Sequence, residues 1–195
     1  MQPPECSWNA DFRPYAACLT YPYPDPFVCT ESCGNHPQVC VNWCDAYAYC
    51  KWAGKRLCGA TGGGPTDPSK FNDPAESQWA NACTSGGRHT YPYGDGFVRQ
   101  RCQTYAIAEG GRTTSAVGSH PDCQSRVAGH ANVLDLSGNV SEWEDDCVAA
   151  GTSIETACNV RGGSFLDETK TRCDTQFRIQ RNRTEPDVGF RCCGP

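Results

Sequence analysis

Sixteen cysteines fall within 195 residues, at positions 6, 18, 29, 33, 40, 44, 50, 58, 83, 102, 123, 147, 158, 173, 192 and 193. The count is even, spread from end to end, and about 8% of the chain, the density of a disulfide scaffold. Free thiols at that density would oxidise or scramble, so the chain is expected to mature in an oxidising compartment. Zinc is the competing use of so much sulfur. Cys29/Cys33 and Cys40/Cys44 are CxxxC pairs, but no histidine completes a finger spacing and no paired CxxC occurs, so cross-links are preferred.

The remaining composition suits a chain held by cross-links. Hydrophobic residues make up 38%, with 20 glycines and 14 prolines, which favours turns and long loops over a packed helical core. Each bridge closing a long loop contributes about 2–4 kcal/mol, offsetting a thin core. A net charge of −5 speaks against nucleic acid as a partner. No run of eighteen apolar residues is present, so no transmembrane segment is expected. Gln2-Pro3-Pro4-Glu5 reads as the start of a mature chain whose export signal has been removed, giving a secreted, extracellular or periplasmic location.

Two regions differ in character. Residues 1–35 are rich in Pro, Cys and aromatics, including YPYPDPF at Tyr21–Phe27, and read as an arm pinned by bridges. Residues 36–195 read as one domain. Within it Val41–Leu57 is the best helix: Asn42 offers an N-cap, Trp43, Ala46, Tyr47, Cys50 and Ala53 keep a 3.6 period, and Gly54 stops it. Gln78–Cys83 reads as a helical turn or two, Phe177–Arg181 alternates like a strand, and Gly189–Cys193 reads as a terminal strand. Between Cys102 and Gly129 nothing regular is legible.

Four islands then stand in a telling order: NWCDAYAYCKWAGKRL, SQWANAC with YPYGD, DLSGNVSEWEDD, and RGGSF followed by GFRCC. In register from about His36 to Cys193, they resemble the formylglycine-generating enzyme (sulfatase-modifying factor) family. The resemblance implies an α+β, irregular, loop-rich fold related to C-type lectins, with frequent structural Ca²⁺. It leaves the activity open. Some members are copper-dependent oxidases that convert a peptidyl cysteine to formylglycine, some use non-haem iron, and others only bind, so function must come from the site.

The resemblance also nominates residues. The oxidases hold Cu(I) between two cysteines shortly after the GGS motif, soft ligands for a soft ion. Here Ser164 matches the family's serine, Asp167 stands where the first cysteine falls, or Glu168 if the gap is placed earlier, and Cys173 matches the second only by allowing an insertion. Ser141 replaces a tryptophan of the family pocket. A thiolate pair is therefore not expected; an active variant would have to work through Cys173, Ser164 and Asp167. Iron is not expected either, since His36, His89, His120 and His130 form no HxxxH or HxD pair. Calcium is expected at Asp135, Gly138, Val140 and Glu142, two carboxylates seven apart with carbonyls between them; the alternative is a solvated acidic loop that includes Asp145 and Asp146. The resemblance further implies the bridges Cys50–Cys192 and Cys83–Cys173, and vicinal Cys192 and Cys193 need separate partners.

Weaker signals complete the reading. Lys170, Arg172, Arg178, Arg181, Arg183 and Arg191 gather near the C-terminus and are expected to pair with carboxylates. Asn139-Val140-Ser141 and Asn182-Arg183-Thr184 match the glycosylation sequon, the first inside the calcium loop, where modification is not expected. The functional expectation is a secreted, calcium-stabilised binding or assembly domain whose partner is an unknown protein or glycan. The alternatives are a copper-dependent thiol oxidase and a lectin-like carbohydrate binder.

Overall fold

The computed structural model describes residues 2–19, 33–105, 113–148 and 154–194; the Tyr21–Phe27 run and Cys29 lie outside them. Its helices are α1 (Ala16–Leu19), α2 (Trp43–Trp52) and α3 (Gln78–Thr84). Its strands are β1 (Arg56–Leu57), β2 (Ser141–Cys147), β3 (Ala157–Arg161), β4 (Gln176–Gln180), β5 (Val188–Phe190) and β6 (Cys192–Cys193). This is a mixed α+β, loop-rich architecture.

The best sequence helix forms for local reasons. The Asn42 side chain accepts from the Asp45 N–H, and the Asp45 carboxylate accepts from the Asn42 N–H, a closed capping box. Gly54 (φ 69°) turns the chain out of it. Ser77 caps α3 in the same way, its hydroxyl accepting from the Ala80 N–H.

One sheet runs β4-β3-β2-β5, antiparallel except for the parallel β2–β5 pair; a second, two-stranded sheet pairs β1 with β6. The Gly189–Cys193 segment was expected to be one strand and is two. It breaks at Arg191, whose guanidinium turns aside to Glu142, so Val188–Phe190 and Cys192–Cys193 serve different sheets.

Sulfur sits where a larger domain would put aliphatic side chains. Among the described residues seven bridges join Cys6–Cys44, Cys18–Cys40, Cys50–Cys192, Cys58–Cys193, Cys83–Cys173, Cys102–Cys123 and Cys147–Cys158. No cysteine among the described residues is free. The main core packs Trp43, Ala46, Leu57, Trp143, Val160 and Val188 around Cys6, Cys44, Cys50 and Cys158. A second cluster surrounds the Cys83–Cys173 bridge with Trp79 and Leu136. Cys192 and Cys193, adjacent in sequence, reach back to Cys50 in the last turn of α2 and Cys58 just after β1, and fasten the C-terminus to both.

The acidic run of β2 is not a solvated loop. Glu144 and Asp146 are buried, and so is Glu142, because three other parts of the fold each bring a cation. Arg191 meets Glu142 at 2.6 Å, Arg161 of β3 meets Glu144 at 3.6 Å, and Arg178 of β4 meets Asp146 at 3.2 Å. Arg161 is itself fully buried between the Trp79 and Phe71 rings, its Nη1 donating to the Phe71 carbonyl and its Nη2 to the Cys173 carbonyl. Arginine suits such a position because its planar cation can stack and donate at once.

Candidate functional site

After β3 the chain turns sharply through Gly162 (φ 88°) and Gly163 (φ 63°). A Cβ on Gly163 would stand 2.7 Å from the Lys170 carbonyl oxygen, so only glycine lets these two stretches approach. The turn delivers Ser164, which is fully buried, between two carboxylates. Its hydroxyl lies 2.8 Å from Asp187 Oδ2 and 3.3 Å from Asp167 Oδ2. A hydroxyl has one proton, so it donates to one of the two at a time. Asp167 Oδ2 also accepts from the Ser164 N–H at 3.1 Å, and Lys170 stands 3.6 Å from its other oxygen. Burial, and then the neighbouring Asp167, push the Asp187 carboxyl above the usual carboxylate range. Ser141 closes the group, its N–H donating to the Asp187 carbonyl at 2.9 Å. Sequence reasoning named Ser141, Ser164 and Asp167 but missed Asp187, which comes from a loop with no periodicity to draw attention to it.

Cys173 is not part of this group. Its sulfur is bonded to Cys83 of α3, next to Leu136, and its N–H donates to the Thr90 carbonyl. The residues at this turn therefore offer hydroxyl and carboxylate oxygens and no thiolate. Cu(I), a soft ion that prefers sulfur, does not fit them.

The four histidines are scattered. His36 meets Thr114, His120 meets Gln103, His130 meets Asn81, and His89 meets Asp95. Among the described residues no three of His, Cys, Asp and Glu converge.

Asp135 and Glu142 do share a cleft of about 310 Å³, which Asn139, Val140 and Arg191 also line. The loop leading into it is tightly wound, with left-handed backbone at Asp135 (φ 59°), Gly138 (φ 77°) and Asn139 (φ 62°). Asp135 Oδ2 accepts from the Gly118 N–H at 2.7 Å, and burial raises the Asp135 carboxyl above its ordinary value. Glu142 is heavily used. Its Oε2 accepts from Trp79 Nε1 and Arg191 Nε, both at 2.9 Å, and its Oε1 accepts from Arg191 Nη2. A carboxylate offers roughly four lone pairs, so Oε1 keeps one. Two buried carboxylates on one cleft supply oxygens of the kind a hard cation takes. Such an ion would take Glu142 through a single oxygen and lie beside a guanidinium.

Of the two sequons, Asn139 is buried and bonded at both ends of its amide, accepting from the Ser115 N–H and donating to the Ser115 carbonyl. Among the C-terminal cations, Lys170, Arg172, Arg178, Arg183 and Arg191 each meet a carboxylate, whereas Arg181 lies over the Trp43 ring.

Comparison with known proteins agrees with this fold. Residues 24–194 match the family model described as the sulfatase-modifying factor enzyme 1-like domain. The formylglycine-generating enzyme of Streptomyces coelicolor is 31% identical over 187 residues, which cover 81% of this chain and 52% of that protein. The inactive C-alpha-formylglycine-generating enzyme 2 of Bos taurus is 28% identical over 171 residues, covering 80% of this chain and 49% of its own length. The chain spans about half the length of the curated relatives it matches. Among solved structures, CarF superimposes with a TM-score of 0.58 at 19% identity, covering 85% of this chain and 70% of that one.

Proposed function

Because the chain belongs to the sulfatase-modifying factor family yet carries Asp167 at the first thiolate position and a bridged Cys173, we propose that it is a secreted, calcium-stabilised binding or assembly domain rather than an oxidase. The observation that carries this reading is the Cys83–Cys173 bond. It consumes the one cysteine that the family pattern could enlist after the GGS motif, and oxygen ligands line the turn instead. A relative named as inactive at 28% identity shows that the family tolerates loss of activity. Seven bridges among the described residues are consistent with export into an oxidising compartment.

Calcium is the cofactor this reading adds. Asp135 and Glu142 would supply side-chain oxygens and Gly138 and Val140 backbone carbonyls; the ion would neutralise two buried carboxylates and hold a loop that no sheet supports.

The test has two arms. The purified protein, reconstituted with Cu(I), is given a cysteine-containing peptide and dithiothreitol, and oxygen uptake and peptide mass are followed. No thiol-dependent uptake and no loss of thiol from the peptide are expected; turnover that Ser164→Ala abolishes would overturn the non-catalytic reading. Separately, thermal unfolding is measured with calcium and with a chelator, and a melting temperature indifferent to both would remove the cofactor.

A further inference from the structure

The exposed face of α2 carries an unexplained aromatic surface. Asp45, Ala48, Tyr49 and Trp52 follow one another at helical spacing, so they form one stripe. With Phe12 from the N-terminal arm they line a cleft of about 300 Å³. Trp52 is 79% exposed, Tyr49 53% and Phe12 49%, a costly way to leave three large rings. The Tyr49 and Trp52 rings lie 5.6 Å apart and tilted, and Tyr49 is braced edge-on by Phe190.

The arm is held there by more than apolar contact. The Cys6–Cys44 bridge and the bond from Asn9 Nδ2 to Asp45 Oδ1 tie it to the start of α2. The cleft is therefore built before any ligand arrives.

Its charge is one-sided. Asp45 is its one ionisable carboxylate and no Lys or Arg lines it; Asp11 is near enough to add to the negative field at Asp45. Arg13, the nearest cation on the arm, is already clamped by Asp11 at 2.7 Å. Both Asp45 oxygens accept hydrogen bonds, from Asn9 and from the Asn42 N–H, but burial outweighs these donors and holds the carboxyl above its ordinary value, so an approaching cation would draw it toward its charged form. Aromatic faces over a buried negative charge attract a cation. They suit a sugar less well, because Asp45 is engaged and few free polar groups remain to read hydroxyls.

A second, larger cleft of about 650 Å³ adjoins the first and shares Asp45 with it. Its lining is mixed, with Asn42, Asn182 and Thr184 beside Arg13 and Asp11 and with Pro14, Tyr15 and Ala16. An apolar, anionic end continuing into a trough of mixed polar and apolar side chains matches an extended chain bearing one long cationic side chain.

We propose that this face docks a lysine of a partner polypeptide, its alkyl stem and ammonium among Phe12, Tyr49 and Trp52 over Asp45, and its backbone along the neighbouring trough. The inference rests on residues other than those of the Ser164 turn and stands whether or not that turn is catalytic.

The experiment titrates the intact protein, at constant ionic strength, with blocked pentapeptides of glycine and serine whose central residue is lysine or norleucine. Trp fluorescence and two-dimensional NMR report binding. The lysine peptide is expected to bind saturably and roughly tenfold tighter than its neutral norleucine isostere, a factor typical of a few exposed cation–π contacts. Trp52→Ala and Phe12→Ala should each abolish that preference while leaving the melting temperature unchanged, since both rings are largely exposed. Equal binding of the two peptides, no saturable response to either, or a preference that survives Trp52→Ala would each overturn the proposal.

Discussion

Arg191 grips Glu142 with two nitrogens, Nη2 at 2.6 Å from Oε1 and Nε at 2.9 Å from Oε2. A guanidinium thus already supplies positive charge where calcium is proposed. The ion and Arg191 must share one carboxylate, and the shared lone pairs limit how tightly either is held.

That sharing sets the first prediction. Calcium at a hundred times its dissociation constant should stabilise the fold by about 2.7 kcal/mol. Asp135→Asn should abolish the shift while perturbing the Arg191–Glu142 pair little. Isothermal titration calorimetry of the two proteins checks it, and equal calcium affinity would argue against the Asp135 ligand.

The bridges should differ in worth. Cys83–Cys173 spans 90 residues and Cys102–Cys123 only 21. On loop entropy, replacing the first pair with alanines should cost about 1 kcal/mol more than replacing the second. Urea unfolding of both double variants provides the comparison.

Burial drives the Glu144 carboxyl up to about 7 and that of Asp145 up to about 6. In the unfolded chain both titrate near their ordinary values, 4.5 and 3.8. Between those limits the folded state binds more protons, so stability falls as pH rises from about 4 to about 7. For Glu144 the loss is roughly 3–4 kcal/mol. The melting temperature should be higher at pH 5 than at pH 8, and Glu144→Gln should flatten the slope. An unchanged slope in that variant would assign the effect elsewhere.

Trp79 joins three features: it stacks on Arg161 at 4.4 Å, donates to Glu142 and packs against the Cys83–Cys173 bridge. Trp79→Ala should cost about 3–5 kcal/mol. Trp79→Phe keeps most of the ring and removes the indole donor, so about 1–3 kcal/mol is expected. Chemical denaturation separates the two.

Gly138→Ala should be among the most damaging small changes. The residue has φ 77°, and a Cβ there would stand 2.2 Å from the Gln103 carbonyl oxygen, a backbone atom that cannot swing away. Left-handed strain alone costs about 1–2 kcal/mol. A loss larger than that, together with loss of the calcium shift, is expected in thermal unfolding.

Parts of this molecule are readable residue by residue because their causes are local. The Asn42 cap, the 3.6 period through Cys50 and the stop at Gly54 foretell α2 almost to its ends. Gln78–Thr84 forms as its pattern indicates, governed by neighbours within a few residues, and Gln176–Gln180 forms where the alternation falls, though its pairing partner β3 lies across the intervening loop. β2 was illegible for the opposite reason. Glu142, Glu144 and Asp146 alternate with Trp143, Asp145 and Cys147, a run that looks like a wet edge until Arg191, Arg161 and Arg178 arrive from elsewhere to bury it. Asp187 and Phe12 were missed likewise, since each gains its meaning from a partner far along the chain.

The order of residues alone determined that this would be a cross-linked, loop-rich α+β chain of a recognisable family, because cysteine count, glycine turns and motif order need no folding to be seen. Tertiary structure alone decided what lies beside what. It seats Ser164 between Asp167 and Asp187, leaves Cys173 bonded to Cys83, and hangs Phe12 over the face of α2. Those pairings depend on contacts across many tens of residues, whose energies a linear pattern does not carry.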